Sequence, residues 1–186
     1  IFKRELSEIH SARDQYTEAA RVMESINLEQ TNREVSFQDK VDVWLTTAEY
    51  WFSADDSVNA EKYINKAAHI MHHCLQDKSL QLRYKNFQAK IMDSKRKFNL
   101  ASWEYYGLSN QEEIDQEDKM ELLKCALTCA ILSPAGDNKY RVMGVLYKDE
   151  RSKSLDPQYE ILNKLYMGHI IKKPEVVAFE KTLEEH

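Results

Sequence analysis

Apolar residues recur along this chain at the spacing of a helix, and the whole pattern then recurs. Between Asp56 and Ala68 (DSVNAEKYINKAA), Ala60, Tyr63, Ile64 and Ala67 stand at offsets 0, 3, 4 and 7, one stripe of an α-helix. Moved back by 41 residues, the stripe is Ala19, Val22, Met23 and Ile26; moved forward it is Ala101, Tyr105 and Leu108, with Glu104 interrupting. The preceding helix repeats in the same step through Val41, Leu82 and Leu123, and through Ala48, Ala89 and Ala130. A period of about 40 residues with two helices per unit predicts an all-α fold, a solenoid of antiparallel, tetratricopeptide-like helix pairs. The six recurring alanines (Ala19, Ala60, Ala101, Ala48, Ala89 and Ala130) are the predicted close-contact points between helices. This is an argument for architecture and says nothing of chemistry.

Taken in order, the pattern predicts two short helices over Phe2 to Ser25, with Asp14 as a cap between them, and a polar loop from Asn27 to Ser36. Ser36 and Asp39 have capping-box spacing, and Val41, Leu45, Ala48 and Phe52 form a stripe behind them. Acidic and hydroxyl residues (Asp55, Asp56, Ser57) precede the central helix, which is expected to end near Leu75. Lys78 to Lys95 follows with Leu80, Tyr84, Phe87 and Ile91 on one face, paired with Phe98 to Leu108. Asn110 to Asp118 reads as an acidic loop or a solvated helix start. Met120 to Leu132 is the most apolar helix, its polar residues Glu121, Lys124 and Thr128 confined to one narrow stripe. Ser133-Pro134-Ala135-Gly136 should end it sharply. Further helices are expected over Lys139 to Tyr147, Tyr159 to Ile171 and, opened by Pro174, Glu175 to Glu185.

Composition sharpens this picture. Four glycines and three prolines among 186 residues leave few chain breaks, which favours long helices and no sheet. The net charge of −5 is made of interleaved acids and bases, so no nucleic-acid partner is indicated. No apolar run approaches the ~18 residues of a membrane span. Three cysteines without a secretory signal fit a reducing compartment. A start at Ile1 and a charged helical end predict a piece of a longer protein.

Four segments carry a resemblance. "NAEKYINKAA" is similar to a family's "AEAYINRA", "RKFNLAS" to "RKFIEAA", "ALTCAILSPAG" to "ALxCxILASAG", and "LYKDERS" to "LFKDERC", in the same order and at compatible spacing. They resemble the PCI family in its fourth-subunit branch of the COP-nine signalosome, over about Tyr16 to Phe179. The same family includes subunits of the proteasome lid and of translation-initiation factor three. The loops at Asn27 to Ser36 and Asn110 to Asp118 depart from its pattern.

The resemblance implies a right-handed helical-repeat arm over residues 1–110, then the helical part of a PCI domain over residues 111–186, stopping before a winged helix. It implies a non-catalytic scaffold, in cytoplasm and nucleus, within a complex that removes the modifier NEDD8 from cullins. The implied partners are the other signalosome subunits, through PCI contacts, and the RING end of a cullin ligase. A proteasome-lid subunit and a free-standing peptide-binding repeat module are the alternatives. The peptide-binding module would need Lys, Asn and Arg recurring on one face, and the repeat offsets hold apolar residues instead.

No chemistry of its own stands out. His69, His72, His73 and Cys74 have zinc-helix spacing without an acidic base, and the polar end of an amphipathic helix accounts for them. Cys125 and Cys129 lie four apart on the most apolar helix, where thiols are usually inert core residues. Trp44, Trp51, Trp103, Tyr105 and Tyr106 sit at helical spacing and suit repeat packing. The cluster Lys90, Lys95, Arg96 and Lys97 suits a solvated helix end, with an acidic protein as second reading. Lys148, Asp149, Glu150 and Arg151 are left as candidates for a partner contact or for a lock on a helix end. No cofactor, metal ligand or catalytic residue is expected.

Overall fold

The computed structural model describes residues 2–26, 35–74 and 76–183. Within them every regular element is helical and no strand occurs. The α-helices are α1 (Phe2–Ser11), α2 (Tyr16–Glu24), α3 (Phe37–Ser53), α4 (Ser57–Ile70) and α5 (Lys78–Ser94). They continue as α6 (Phe98–Ser109), α7 (Gln116–Leu132), α8 (Asp137–Lys148), α9 (Gln158–Met167) and α10 (Lys173–Glu180). Short 3-10 turns occupy Met71–His73 and Glu150–Ser154. Two compact units divide the chain, Ile1–Ile91 and Met92–His186.

The 41-residue period is written into the backbone as well as the side chains. Helices α2, α4 and α6 begin at residues 16, 57 and 98, and α5 repeats the bounds of α3 41 positions later. The caps shift with them. Ser36 Oγ accepts the Asp39 N–H at 3.1 Å and donates to the Asp39 carboxylate at 2.8 Å. One period on, Asp77 Oδ1 accepts the Leu80 N–H at 3.1 Å.

The reversals repeat too. Asp14, Asp55 and Arg96 each adopt a left-handed backbone, at φ 57°, 61° and 56°. At each, the residue's own N–H reaches back three positions and the next N–H reaches back five: Asp55 to Phe52, for instance, and Asp56 to Trp51. That is a Schellman closure of the preceding helix, made without glycine. Asp14 therefore ends α1 rather than capping α2. The N-cap of α2 is Gln15, and its side chain makes no capping bond.

The core of the first unit gathers Ala20, Val41, Leu45, Ala48, Trp51, Ala60, Tyr63, Ile64, Ala67, Phe87 and Ile91, all buried. Phe52, placed by sequence on the same stripe, is only partly buried and meets Phe87 edge-on at 5.5 Å. Helices α4 and α10 end at Ile70 and Glu180, short of the expected Leu75 and Glu185, which with the loop segment 27–34 lie outside the described residues.

In the second unit the step changes. Helix α7 has the 17 residues of α3 and α5, yet it starts 38 residues after α5, at Gln116 instead of near Met120. Three residues are close to one helical turn, so Leu123 and Ala130 still fall on the buried face. Helix α6 packs on α7 through Ser102, whose buried Oγ donates to the Ala126 carbonyl at 2.8 Å. Lys139, at the start of α8, then closes the end of α7 by donating to the carbonyls of Ile131 at 2.6 Å and Ser133 at 2.8 Å.

Helix α9 ends earlier than the apolar pattern predicts. Gly168 takes φ 71°, and the His169 N–H bonds the Lys164 carbonyl at 2.8 Å, a Schellman closure that stops the helix at Met167 rather than Ile171. Pro174 lies in the first turn of α10, as expected, and Glu175 accepts from the Lys172 N–H at 3.0 Å and from Lys164 Nζ at 2.5 Å.

Candidate interaction site

The six repeat alanines are all fully buried: Ala19, Ala48, Ala60, Ala89, Ala101 and Ala130 each have 0% exposure. A position with no room for a larger side chain on a helix that packs against others is what close approach requires.

The charged run at the end of α8 divides into two pairs. Lys148 and Glu150 are exposed, whereas Asp149 and Arg151 are drawn in. Asp149 caps the 3-10 turn, accepting the Arg151 N–H at 3.0 Å. The Arg151 guanidinium grips the same carboxylate at 2.7 Å, then reaches the Ser109 carbonyl at 2.9 Å and Asn110 Oδ1 at 2.7 Å. It thereby ties the turn after α8 to the end of α6. The Arg151 hydrogen bond and charge hold the Asp149 carboxyl below the usual carboxylate range, against a smaller upward push from burial.

Two braces escaped the sequence reading. Arg83 on α5 takes Glu49 with both arms, at 2.7 and 2.5 Å, and Asp42 at 2.7 Å; it also donates to Thr46 Oγ1 at 3.0 Å. Arg4 on α1 binds the other oxygen of Asp42 at 3.0 Å, so one face of α3 is clasped from both sides. Asp42 and Arg83 are one repeat apart, and that offset is the signal that was available. The second brace is Glu24, whose Oε1 accepts from Trp51 Nε1 at 3.1 Å and from the Tyr63 hydroxyl at 2.8 Å. Burial first, then that carboxylate, pushes the Tyr63 phenol well above its ordinary value.

The remaining candidates are dispersed. His69 lies on α4 while His72 and His73 lie on the following 3-10 turn, where His73 stacks on Phe37 at 4.3 Å. Among the described residues no three His, Cys, Asp or Glu side chains gather at metal-holding range. Cys74 belongs to the first unit's core. Cys129 is 1% exposed and meets Asp93 Oδ1 at 3.4 Å; burial, then the neighbouring carboxylate, pushes its thiol strongly upward, which suppresses the thiolate. Trp51 and Tyr105 are buried, while Trp103 is 41% exposed. Lys90, Lys95, Arg96 and Lys97 are exposed around the α5–α6 reversal.

Sequence comparison bears on what these surfaces serve. A family model described as PSMD12/CSN4, N-terminal, matches residues 2–117. The chain is 35% identical, along its full length, to the COP9 signalosome complex subunit 4 of Neurospora crassa, and covers 42% of that protein. It is 36% identical, again over its full length, to the Arabidopsis thaliana protein of the same name, covering 48% of it. Against the Drosophila melanogaster protein of that name, identity is 36% over 97% of the chain and 44% of the relative. The chain thus spans less than half the length of these curated relatives. With its all-helical repeats and a family match over more than half of its residues, the chain belongs to the PSMD12/CSN4 N-terminal family.

Proposed function

We propose that the chain is the helical portion of a non-catalytic scaffold subunit of the COP9 signalosome, serving the complex that deneddylates cullin-RING ubiquitin ligases. The observation that carries this reading is the match, over 97–100% of the chain, to relatives that bear the name of one signalosome subunit. In this reading residues 1–110 form the helical-repeat arm and residues 111–186 the helical part of a PCI domain. The repeat alanines let neighbouring helices approach closely. Lys148 and Glu150, exposed beside the Asp149–Arg151 lock, are the members of the charged run available to a partner. The partners are other signalosome subunits and the RING end of the ligase, met in cytoplasm and nucleus.

Two support roles follow from the chemistry present. The Arg83 and Glu24 braces hold side chains between helices, which is the work of a scaffold. The Cys129 thiol is held protonated and buried, unsuited to nucleophilic attack. Mass spectrometry of what co-purifies with the tagged full-length protein tests the assignment. Signalosome subunits in near-equal amounts are expected. Proteasome-lid subunits, or a lone peptide ligand, would replace it.

A further inference from the structure

Four tyrosines form a continuous column between α8 and α9. Tyr140 and Tyr147 lie seven apart on α8, and Tyr159 and Tyr166 lie seven apart on α9. The rings alternate between the helices: Tyr140 stacks on Tyr166 at 4.8 Å and 22°, Tyr166 on Tyr147 at 5.0 Å and 28°, and Tyr147 on Tyr159 at 6.2 Å and 6°. Gly144 makes room for the central ring. A Cβ added there would stand 3.4 Å from Tyr166, so the ring lies against the helix backbone. The outer end of the column is open, with Tyr140 57% exposed. The neighbouring Tyr166 hydroxyl raises the Tyr140 pKa above its ordinary value.

We propose that Tyr140 and Tyr166 are an oxidative crosslinking site, where a one-electron oxidant joins the two phenols into dityrosine and staples α8 to α9. Each phenol gives up one electron and its hydroxyl proton. The two phenoxyl radicals couple through ring carbons ortho to the oxygens, forming one carbon–carbon bond. Each ortho C–H proton then returns to its own oxygen and restores the phenol. With a peroxidase and hydrogen peroxide as the oxidant, peroxide takes both electrons and both protons and leaves as two waters. The geometry favours this pair over others in the chain. Ring centroids at 4.8 Å need only a modest tilt and approach, and the exposed Tyr140 is where an oxidant meets the column. Tyr166 is central, so it intercepts a radical formed at either neighbour.

The test is brief treatment of the purified chain with horseradish peroxidase and limiting peroxide, followed by digestion and mass spectrometry of the monomer band. The expected product is a peptide of α8 linked to one of α9, lighter than the sum by two hydrogens. Oxidation of the exposed Met167 would instead add oxygen, so the two are distinguishable. Tyr166→Phe is expected to abolish the linkage and Tyr140→Phe to remove the Tyr140-containing product, with helix content by dichroism unchanged in both. Since Tyr140 is the more exposed, its variant settles the matter should Tyr166→Phe fold poorly. A wild-type chain with no α8–α9 linkage, linkages only between molecules, equal linkage through tyrosines outside the column, or linkage that survives Tyr166→Phe would each overturn the site.

Discussion

At the scale of single residues, the polar side chains that matter are those with more than one partner. Arg151 has three, and its lock should leave a signature in acid. The folded Asp149 carboxyl titrates below its unfolded value, so its contribution is full above about pH 4 and is lost as pH falls through the lower, folded value. Asp149→Asn should therefore cost about 1 kcal/mol at neutral pH and flatten the loss of stability below pH 4. Urea midpoints taken across that range measure it; an unchanged acid branch would mean Arg151 is held by Ser109 and Asn110 alone. Arg83 is clasped by two carboxylates but remains about one-third exposed. Arg83→Ala is expected to cost about 1 kcal/mol, with Arg83→Lys recovering only part because a lysine cannot bind Glu49 with two arms.

At the scale of the element, the repeat shows which positions are well chosen and which are not. The residue after each reversal caps the next helix, and Gln15, Asp56 and Lys97 hold similar backbone angles there. Only Asp56 uses its side chain, accepting the Asn59 N–H at 2.9 Å. Lys97→Asp should therefore add about 1 kcal/mol, by supplying the missing acceptor and a negative charge at the positive end of α6. A midpoint that does not rise would mean the Lys97 side chain holds something this change removes. Ala60→Phe is the opposite case: overpacking at a position with no exposure should cost about 1–3 kcal/mol. The helices and their buried faces were legible because one stripe recurs from Ala19 to Ala101. The end of α9 was not, since apolar residues run on through Ile171 and the pattern gives no weight to one glycine at 168. The early start of α7 was hidden because a three-residue slip keeps Leu123 and Ala130 on the same face. The Arg83 and Glu24 braces were harder to read because the apolar stripe gives no weight to half-buried polar residues, and the repeat offset of Asp42 and Arg83 was the one hint of either.

For the whole molecule, stability should depend on helix packing, since the described residues contain no sheet to register. A far-ultraviolet dichroism spectrum dominated by helix is expected, and a strand signature would contradict the architecture. The candidate interaction residues were the least legible part. The sequence offered Lys148 to Arg151 as one charged run, whereas the structure spends two of the four on an internal lock. Charge alone cannot say whether it faces inward or outward, because that depends on a loop arriving from α6, some 40 residues earlier in the chain.

The repeated reversal has a consequence for how such a chain can be lengthened. Asp14, Asp55 and Arg96 are interchangeable splice points, since the backbone enters and leaves each in the same conformation. Copying residues 15–55 and inserting the copy after Asp55 would place Gln15 where Asp56 stood, at nearly the same angles, and create no junction the chain does not already contain. A gene needs no new turn to grow an additional helix pair, only a faithful duplication of one period. The number of helix pairs is in that sense an adjustable quantity, set by copy number rather than by invention.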